Sequence, residues 1–134
     1  MKVLTRLVGA VAVASSLMLA SHSASAQYPD RPITIIVPFA AGGPTDIISR
    51  IMADPMSRIL KQQVLVENAT GAGGTVGVTR AKNAAPDGYT LLMGGNPSLV
   101  INPSLYETLP FDPQKDFAPI SQVFVAANVL AVPP

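Results

Sequence analysis

The sequence contains no cysteine and no tryptophan, and His22 is its only histidine. Without cysteine, neither a disulfide framework nor a lipid-bearing cysteine is possible. Because His22 lies in a leader that we expect to be removed, the rest of the chain lacks the residues of a Ser-His-Asp or Cys-His nucleophile system. The commonest zinc and copper ligands are missing for the same reason. We therefore expect no metal, no cofactor and no enzymatic activity, and a binding function is favoured.

Charged residues are also scarce, at 13% of the chain, and they are scattered. No Asp-x-Asp or Glu-x-x-Glu pair suggests acid/base chemistry or metal binding. Lysines and arginines form no stripe, which argues against a nucleic-acid partner and against a polybasic membrane patch. Carboxylate or lysine chemistry remains formally possible from composition alone.

The first 26 residues have the pattern of a secretory signal peptide. Lys2 and Arg6 precede an uncharged stretch over residues 7–20, and the small residues 24–26 (ASA) form a cleavage pattern. The apolar part is shorter than the roughly 20 residues that span a bilayer. We therefore predict a signal peptide over residues 1–26 and a soluble protein in a bacterial periplasm, with secretion as the next option.

Residues 27–134 have the alternating pattern of a parallel α/β sheet. Strands are predicted over residues 32–38, 64–66 and 89–93, separated by helices that begin near Thr45 or Asp46 and at Thr75. The first helix is expected to run to Leu60 with a kink at Pro55, or to divide there with Asp54 as a second cap. The second helix is expected to end at residue 84 or 85. The order βαβαβ predicts right-handed crossovers.

Beyond the third strand the pattern changes. Prolines punctuate a loop-rich stretch, and the apolar residues 120–125 and 129–132 predict two further strands. The chain ends directly after the second of these, so we interpret residues 27–134 as a truncated domain. Ligands of parallel sheets bind beyond the carboxyl ends of the strands, where the glycine-rich loops are expected to gather.

The loop over residues 38–46 (PFAAGGPTD) is the most informative of these loops. Its glycines allow close approach to a ligand, and free N–H groups at the start of the following helix attract anions. Asp46 is expected to cap the helix, to contact a ligand, or to do both. Asn68, within an Asn-x-Thr sequence, is interpreted as an ordinary turn residue.

A second glycine cluster covers residues 71–77 (GAGGTVG). Val76 occupies the position of the third glycine of a dinucleotide fingerprint, and no Lys-Ser/Thr follows, so a nucleotide site is disfavoured. Two interpretations remain. The cluster lines a ligand cleft, or it is a flexible turn whose final glycine, Gly77, eases helix packing.

Five stretches in order resemble the tripartite tricarboxylate transporter substrate-binding proteins, the Bug family of periplasmic solute receptors. They span almost all of residues 27–134. These stretches are residues 28–33 (YPDRPI), 38–46 with Arg50, 66–74 (VENATGAGG), 85–91 (APDGYTL) and 102–120.

The resemblance implies one lobe of a two-lobed, type II-like periplasmic binding protein, with the second lobe missing. The implied function is to bind a small carboxylate-bearing solute and to deliver it to the integral membrane subunits of a tripartite transporter, as a monomer at full length and without catalysis. The ligand-binding residues that it implies are Phe39, Ala40, Ala41, Gly43, Thr45, Asp46, Gly73, Gly74, Thr75, Asn96 and Ser98.

The sequence departs from the family pattern in two stretches. Lys61 replaces a glycine suited to a left-handed helix end, and Ala69-Thr70 replaces Arg-Pro, which removes a charge near the cleft. Three alternatives stay open: a small secreted enzyme with Asp46 as base and the glycine-rich loop as oxyanion site, a nonfunctional remnant, and a module that serves only protein interaction. The solute itself is not identified by the sequence.

Overall fold

The computed structural model describes residues 27–126 and 130, so the predicted signal peptide over residues 1–26 lies outside the described part. Strands and helices alternate, as the sequence pattern predicts. The elements are β1 (Ile33–Val37), α1 (Pro44–Leu60), β2 (Val64–Asn68), a 3₁₀ turn (Ala72–Gly74), α2 (Thr75–Lys82), β3 (Thr90–Leu92), a π-helical turn (Pro97–Ile101) and α3 (Asn102–Leu105).

The three strands form a parallel sheet in the order β2-β1-β3. Ile35 of β1 lies opposite Val66 on one side and opposite Leu91 on the other. The α/β class and the parallel βαβαβ order are thereby confirmed. Since parallel strands end at the same edge, this order places the loops after all three strands at one end of the sheet.

The core lies between β1 and α1. Ile33, Ile35 and Val37 alternate along β1 toward this side and pack with Ala53 of α1 and Val64 of β2. On β1, Ile36 is also buried, and Val78 of the second helix is fully buried. A central strand with apolar residues on both faces is typical of parallel sheets covered by helices.

Helix α1 runs without interruption through Pro55, so the predicted division at Asp54 is wrong. Proline lacks an N–H and leaves the carbonyl of Ile51 without its helical partner. Both residues are exposed, so water can hydrate that carbonyl. The apolar residues of α1 recur at helical spacing but are not all buried: Ile47, Ile51 and Ile59 are exposed, while Met52, Met56 and Leu60 pack against the core.

Helix ends differ from the predictions in detail. Helix α2 ends at Lys82, two or three residues before the predicted end at residue 84 or 85, and Asn83 is its C-cap. Lys61 follows α1 with φ of 54°, the left-handed conformation that the glycine of the family pattern would adopt. The backbone geometry is therefore kept although the glycine is not.

The predicted strand over residues 120–125 is wrong. This segment is described and contains no strand, and the side chains of Ile120 and Val125 are each 81% exposed. A strand needs a neighbouring strand to pair its backbone, and no described strand pairs with this segment. The further strand predicted over residues 129–132 lies outside the described residues except for Leu130.

Within residues 27–126 and at residue 130, no helix is both long enough and apolar enough to cross a membrane. The same part of the chain contains no cluster of three or more His, Cys, Asp or Glu side chains that could hold a metal ion.

Candidate functional site

The loop between β1 and α1 occupies residues 38–43, at the carboxyl edge of the sheet. Pro38 is buried beneath it, whereas Ala40, Ala41 and Gly42 are exposed. Gly42 has φ of 81°, which lets the chain reverse, and Pro44 takes the first helical position, where its missing N–H is not needed. The loop therefore presents the start of α1 to solvent.

Asp46 is the third residue of α1, and the predicted capping roles of Thr45 and Asp46 are wrong. Gly43 occupies the N-cap position, and no side chain caps the helix there. Instead, Oδ2 of Asp46 accepts a hydrogen bond from the backbone N–H of Gly42 at 2.8 Å. Because α1 begins at Pro44, Asp46 lies in the first turn of the helix. Its carboxylate therefore bonds to a backbone N–H that precedes the helix, as the third helical residue of a capping box does.

Arg50 and Asn68 complete the shell around this carboxylate. Arg50 donates from Nε to Oδ2 at 3.1 Å, and its Nη2 lies 3.0 Å from Oδ1. Asn68 donates from Nδ2 to Oδ1 at 3.0 Å. Both oxygens of Asp46 are thus occupied by protein donors, and the residue is only 3% exposed.

These contacts lower the pKa of Asp46 to about 2, chiefly through the hydrogen bond from Arg50 and then through those from Gly42 and Asn68. Burial acts in the opposite direction but is outweighed. Asp46 is therefore ionised at neutral pH. A carboxylate with so low a pKa is a weak general base, which argues against the enzyme with Asp46 as base.

The predicted turn role of Asn68 is wrong. It is the last residue of β2, opposite Val37, so it stands beside the start of the loop. Its Nδ2 also donates to the carbonyl of Phe39 at 3.0 Å, and its Oδ1 accepts from Arg50 at 3.0 Å. Its position at the carboxyl end of a strand adjacent to β1 is the signal that could have identified it.

Three loops meet around the ring of Phe39: the first loop, the second loop with its glycine cluster after β2, and the third loop over residues 93–96 after β3. A side chain at Gly74 would place its Cβ 3.5 Å from Phe39 Cε1 and 3.0 Å from Ser98 Cβ. A side chain at Gly95 would place its Cβ 3.4 Å from Phe39 Cε2. The loops therefore gather at one edge of the sheet as predicted, and Phe39, Gly74 and Ser98 form their junction.

The second glycine cluster is held by close backbone packing. A Cβ at Gly77 would lie 2.6 Å from the carbonyl oxygen of Ala69 and 2.8 Å from Pro38, so only glycine fits. This confirms that Gly77 eases helix packing, and it leaves open whether the cluster also lines a cleft. Thr75 does not cap α2, since Gly74 is the N-cap.

Asn102, the first residue of α3, joins this cluster to α3 and was not predicted as a site residue. It is 5% exposed and donates from Nδ2 to the carbonyl of Gly73 at 3.1 Å and to the hydroxyl of Thr75 at 3.2 Å. Its place on α3, far along the chain from the cluster, gave no local signal.

The remaining predicted site residues differ in accessibility. Ala40, Ala41, Gly73 and Asn96 are exposed, and Gly43, Thr45 and Thr75 are half-buried. Ser98 is fully buried, and its hydroxyl donates to the carbonyl of Gly95 at 3.2 Å. Asn96 directly precedes the π-helical turn.

Backbone donors are available at the first loop. Among the described residues, none accepts a hydrogen bond from the N–H groups of Ala40, Ala41 or Thr45. A cavity of about 520 Å³ lies elsewhere, beside α3, with Tyr106 and Phe111 in its wall. The loop thus forms an open surface whose unpaired donors and helix terminus suit an anionic group.

Comparison with known proteins identifies related chains. Residues 48–134 match the tripartite tricarboxylate transporter family receptor. The protein BugT of Bordetella pertussis is 35% identical over 133 residues, which cover 98% of this chain and 41% of BugT. A UPF0065 protein of Agrobacterium vitis is 40% identical over 114 residues, covering 85% of this chain and 33% of the relative. The chain thus spans about a third to two fifths of the length of these relatives.

Solved structures of related proteins also resemble this chain over part of their length. MatC from Rhodopseudomonas palustris, determined with bound malate, is 42% identical with a TM-score of 0.69, over 72% of this chain and 33% of MatC. R. palustris Rpa4515 with adipate is 30% identical with a TM-score of 0.57, over 65% of this chain and 29% of that protein. A structure described as a periplasmic transporter is 46% identical with a TM-score of 0.54, over 64% and 29%.

Proposed function

Because the chain belongs to the tripartite tricarboxylate transporter receptor family, we propose that it supplies one lobe of a periplasmic receptor for a small carboxylate-bearing solute. The receptor delivers this solute to the integral membrane subunits of a tripartite transporter. The observation that carries the proposal is the fixed loop over residues 38–43, with unpaired N–H groups at the start of α1.

Backbone N–H groups are suitable donors for a carboxylate. The dipole of α1 adds about 0.3–1 kcal/mol of attraction for a negative charge at its first turn. No cationic side chain is needed for this, and Arg50 is already engaged by Asp46 and Asn68. A site of this kind holds the carboxylate group and leaves selection of the remaining solute to other contacts.

The proposed contact surface follows the junction of the three loops. Phe39 provides an apolar wall, and the exposed Ala40 and Ala41 carry donors beside it. Asp46 contributes through the loop that it holds. The other residues proposed to line the site are Gly43, Thr45, Gly73, Thr75 and Asn96, and the buried Gly74 and Ser98 are proposed to shape it from beneath.

The class of solute is supported by the structural relatives. Malate and adipate, which are bound to two of them, are both dicarboxylates. The described loop would hold one carboxylate of such a solute, and a second lobe would contact its other end. We propose that the receptor is a monomer at full length and closes on the solute between its lobes.

A periplasmic location is part of the proposal. It is supported by the signal-peptide pattern of residues 1–26 and by the relative described as a periplasmic transporter. Immunoblotting of separate periplasmic and cytoplasmic fractions with an antibody to this protein would test the location. Recovery of the protein only in the cytoplasmic fraction would contradict this location.

Calorimetric titration of the full-length polypeptide that carries this sequence tests solute binding. We expect malate or adipate to bind and the corresponding uncharged diamide to bind far more weakly, because an amide lacks the negative charge that the helix terminus attracts. Equal binding of the acid and the diamide would contradict recognition of a carboxylate. Absence of binding across a panel of carboxylates would contradict the function itself.

A further inference from the structure

The network around Asp46 joins both ends of the exposed loop. At the beginning of the loop, the side-chain amide of Asn68 holds the carbonyl of Phe39. At its end, the carboxylate of Asp46 holds the N–H of Gly42. Asn68 and Asp46 are also bonded to each other, so the two anchor points are joined through one pair of side chains.

We propose that Arg50 and Asn68 are positioning residues of the solute site, which act through Asp46 to fix the loop and to compensate the charge of that carboxylate. The inference rests on the proposed function, because it concerns the same site. It assigns roles to two residues outside the predicted contact set, and it makes Asp46 a support of the loop and not a partner of the solute.

The first step concerns geometry. The carbonyl of Phe39 is a hydrogen-bond acceptor, and it would repel a carboxylate if it turned toward the solute. Its bond to Asn68 directs it to the protein side, and the bond from Gly42 to Asp46 fixes the far end of the turn. The N–H groups of Ala40 and Ala41 lie between these anchor points and remain unpaired among the described residues.

The second step concerns charge. Asp46 is ionised and buried close to donors that are proposed to receive an anion, and an uncompensated carboxylate there would repel the solute. Arg50 contacts both of its oxygens. Among the charged side chains of the described residues, Arg50 is the only one that acts on the pKa of Asp46, and the neighbouring Glu67 on β2 is paired with Arg80 at 2.7 Å. Arg50 is therefore the compensating charge.

The test compares two arginines on the same helix. Arg58 pairs with Asp54 at 2.9 Å with the same four-residue spacing as Arg50 and Asp46, but both members of this pair are exposed and lie in the second half of α1. Malate and adipate affinities of the full-length polypeptide are measured for Arg50→Met and for the control Arg58→Met. We expect roughly tenfold or greater weakening for Arg50→Met, from repulsion by Asp46, and no change for the control.

The pH dependence separates charge compensation from a purely structural role. Without Arg50, the pKa of buried Asp46 rises, so this carboxylate is neutralised as the pH falls. The affinity ratio between Arg50→Met and Arg58→Met should therefore return toward one at lower pH, and the titration of the solute itself cancels in this ratio. Arg50→Lys should restore part of the affinity, because it keeps the charge and loses the two-point contact. A ratio that is independent of pH would overturn the proposed charge role.

A second readout needs no solute. Hydrogen exchange of the Gly42 amide and the NMR signals of the Asn68 side-chain amide report the network directly. We expect faster Gly42 exchange in Arg50→Met and in Asn68→Ala, and no change in Arg58→Met. If Gly42 exchange is faster in both variants but no carboxylate binds to the wild type, the proposed function is wrong. The network then holds the loop but does not position a solute site. If solute binds but Gly42 exchange is unchanged in both variants, the positioning role is wrong and the function stands.

Discussion

The loops that follow β1 and β2 are stabilised in different ways. Each must turn the chain sharply from a strand into a helix at the same edge of the sheet. After β1, side chains hold the loop, because Asp46 and Asn68 bond to its backbone and to each other, and Arg50 bonds to both of these side chains. After β2, the backbone itself adopts unusual conformations, with positive φ at Gly71, Ala72, Gly73 and Gly74.

This difference predicts different vulnerabilities. The first loop depends on ionised and hydrogen-bonding groups, so it should respond to pH and to changes of charge. The second loop carries no ionisable residue over positions 69–77, and it lies against Pro38 with no room at Gly77. It should respond to side-chain volume. The following experiments use the full-length polypeptide that carries this sequence.

The largest effect is expected for Gly77→Ala. The new Cβ would lie 2.6 Å from the carbonyl oxygen of Ala69, so α2 must move away from the sheet. We expect a loss of about 1–3 kcal/mol in the free energy of unfolding, as for other overpacked sites. Urea denaturation measures it. Val76→Ala, at a half-exposed neighbouring position, is the control and should change stability by less than about 0.5 kcal/mol. Equal stability of Gly77→Ala and the wild type would show that the packing at this glycine is not tight.

A smaller loss is expected for Asn102→Ala, which removes the side chain that joins the second glycine cluster to α3. The carbonyl of Gly73 and the hydroxyl of Thr75 would each lose a donor. We expect a cost of about 1–2 kcal/mol in the same denaturation experiment. Asn83→Ala, at an exposed position, serves as the control. If both asparagine variants behave alike, the second loop is held by its glycines alone.

Acid should weaken the first loop and spare the second. The pKa of Asp46 is about 2 in the folded protein, below its usual value of 3.8, so the unfolded chain binds more protons between these values. The contribution of Asp46 to stability is complete above about pH 4 and is lost as the pH falls toward 2. Since half of the Arg50 side chain is exposed, solvent screening reduces this contribution.

Amide exchange at Gly42 and Gly74, followed from pH 6 to pH 2, checks this difference after correction for intrinsic exchange rates. Gly42 should lose protection in the acid range, whereas Gly74 should keep it as long as the domain stays folded. In Asp46→Asn the protection at Gly42 should no longer vary with pH. Parallel loss of protection at both glycines would mean that the loops open together.

The smallest effect is expected for Ala72→Gly, and it should be stabilising. Ala72 has φ of 46°, a strained conformation for a residue with a Cβ. Relief of this strain exceeds the added chain entropy of glycine by about 0.5 kcal/mol. The converse change, Gly42→Ala, meets no atom within 4 Å but has φ of 81°, so it should cost about 1 kcal/mol. Thermal unfolding of both variants measures whether each substitution raises or lowers stability, and destabilisation by Ala72→Gly would contradict the proposed strain at Ala72.

Much of the fold follows from local patterns. The continuous apolar run at β1 and the glycine and proline positions around it predict a buried parallel strand, because backbone and side-chain periodicity are local properties. Helix caps were predicted less well. Thr45, Asp46 and Thr75 are all good capping residues, yet Gly43 and Gly74 occupy the caps. A capping propensity states which residues are suitable and does not fix where the first turn begins.

The sequence by itself determined the α/β class, the order of strands and helices, and the kind of loop that precedes α1, since each depends on residues close together in the chain. Only the tertiary structure decided the partners of Asp46, the roles of Asn68 and Asn102, and the absence of a strand over residues 120–125. These depend on contacts between distant segments. A hydrogen bond between β2 and the loop after β1, or a strand without a partner, becomes visible only when the sheet is assembled.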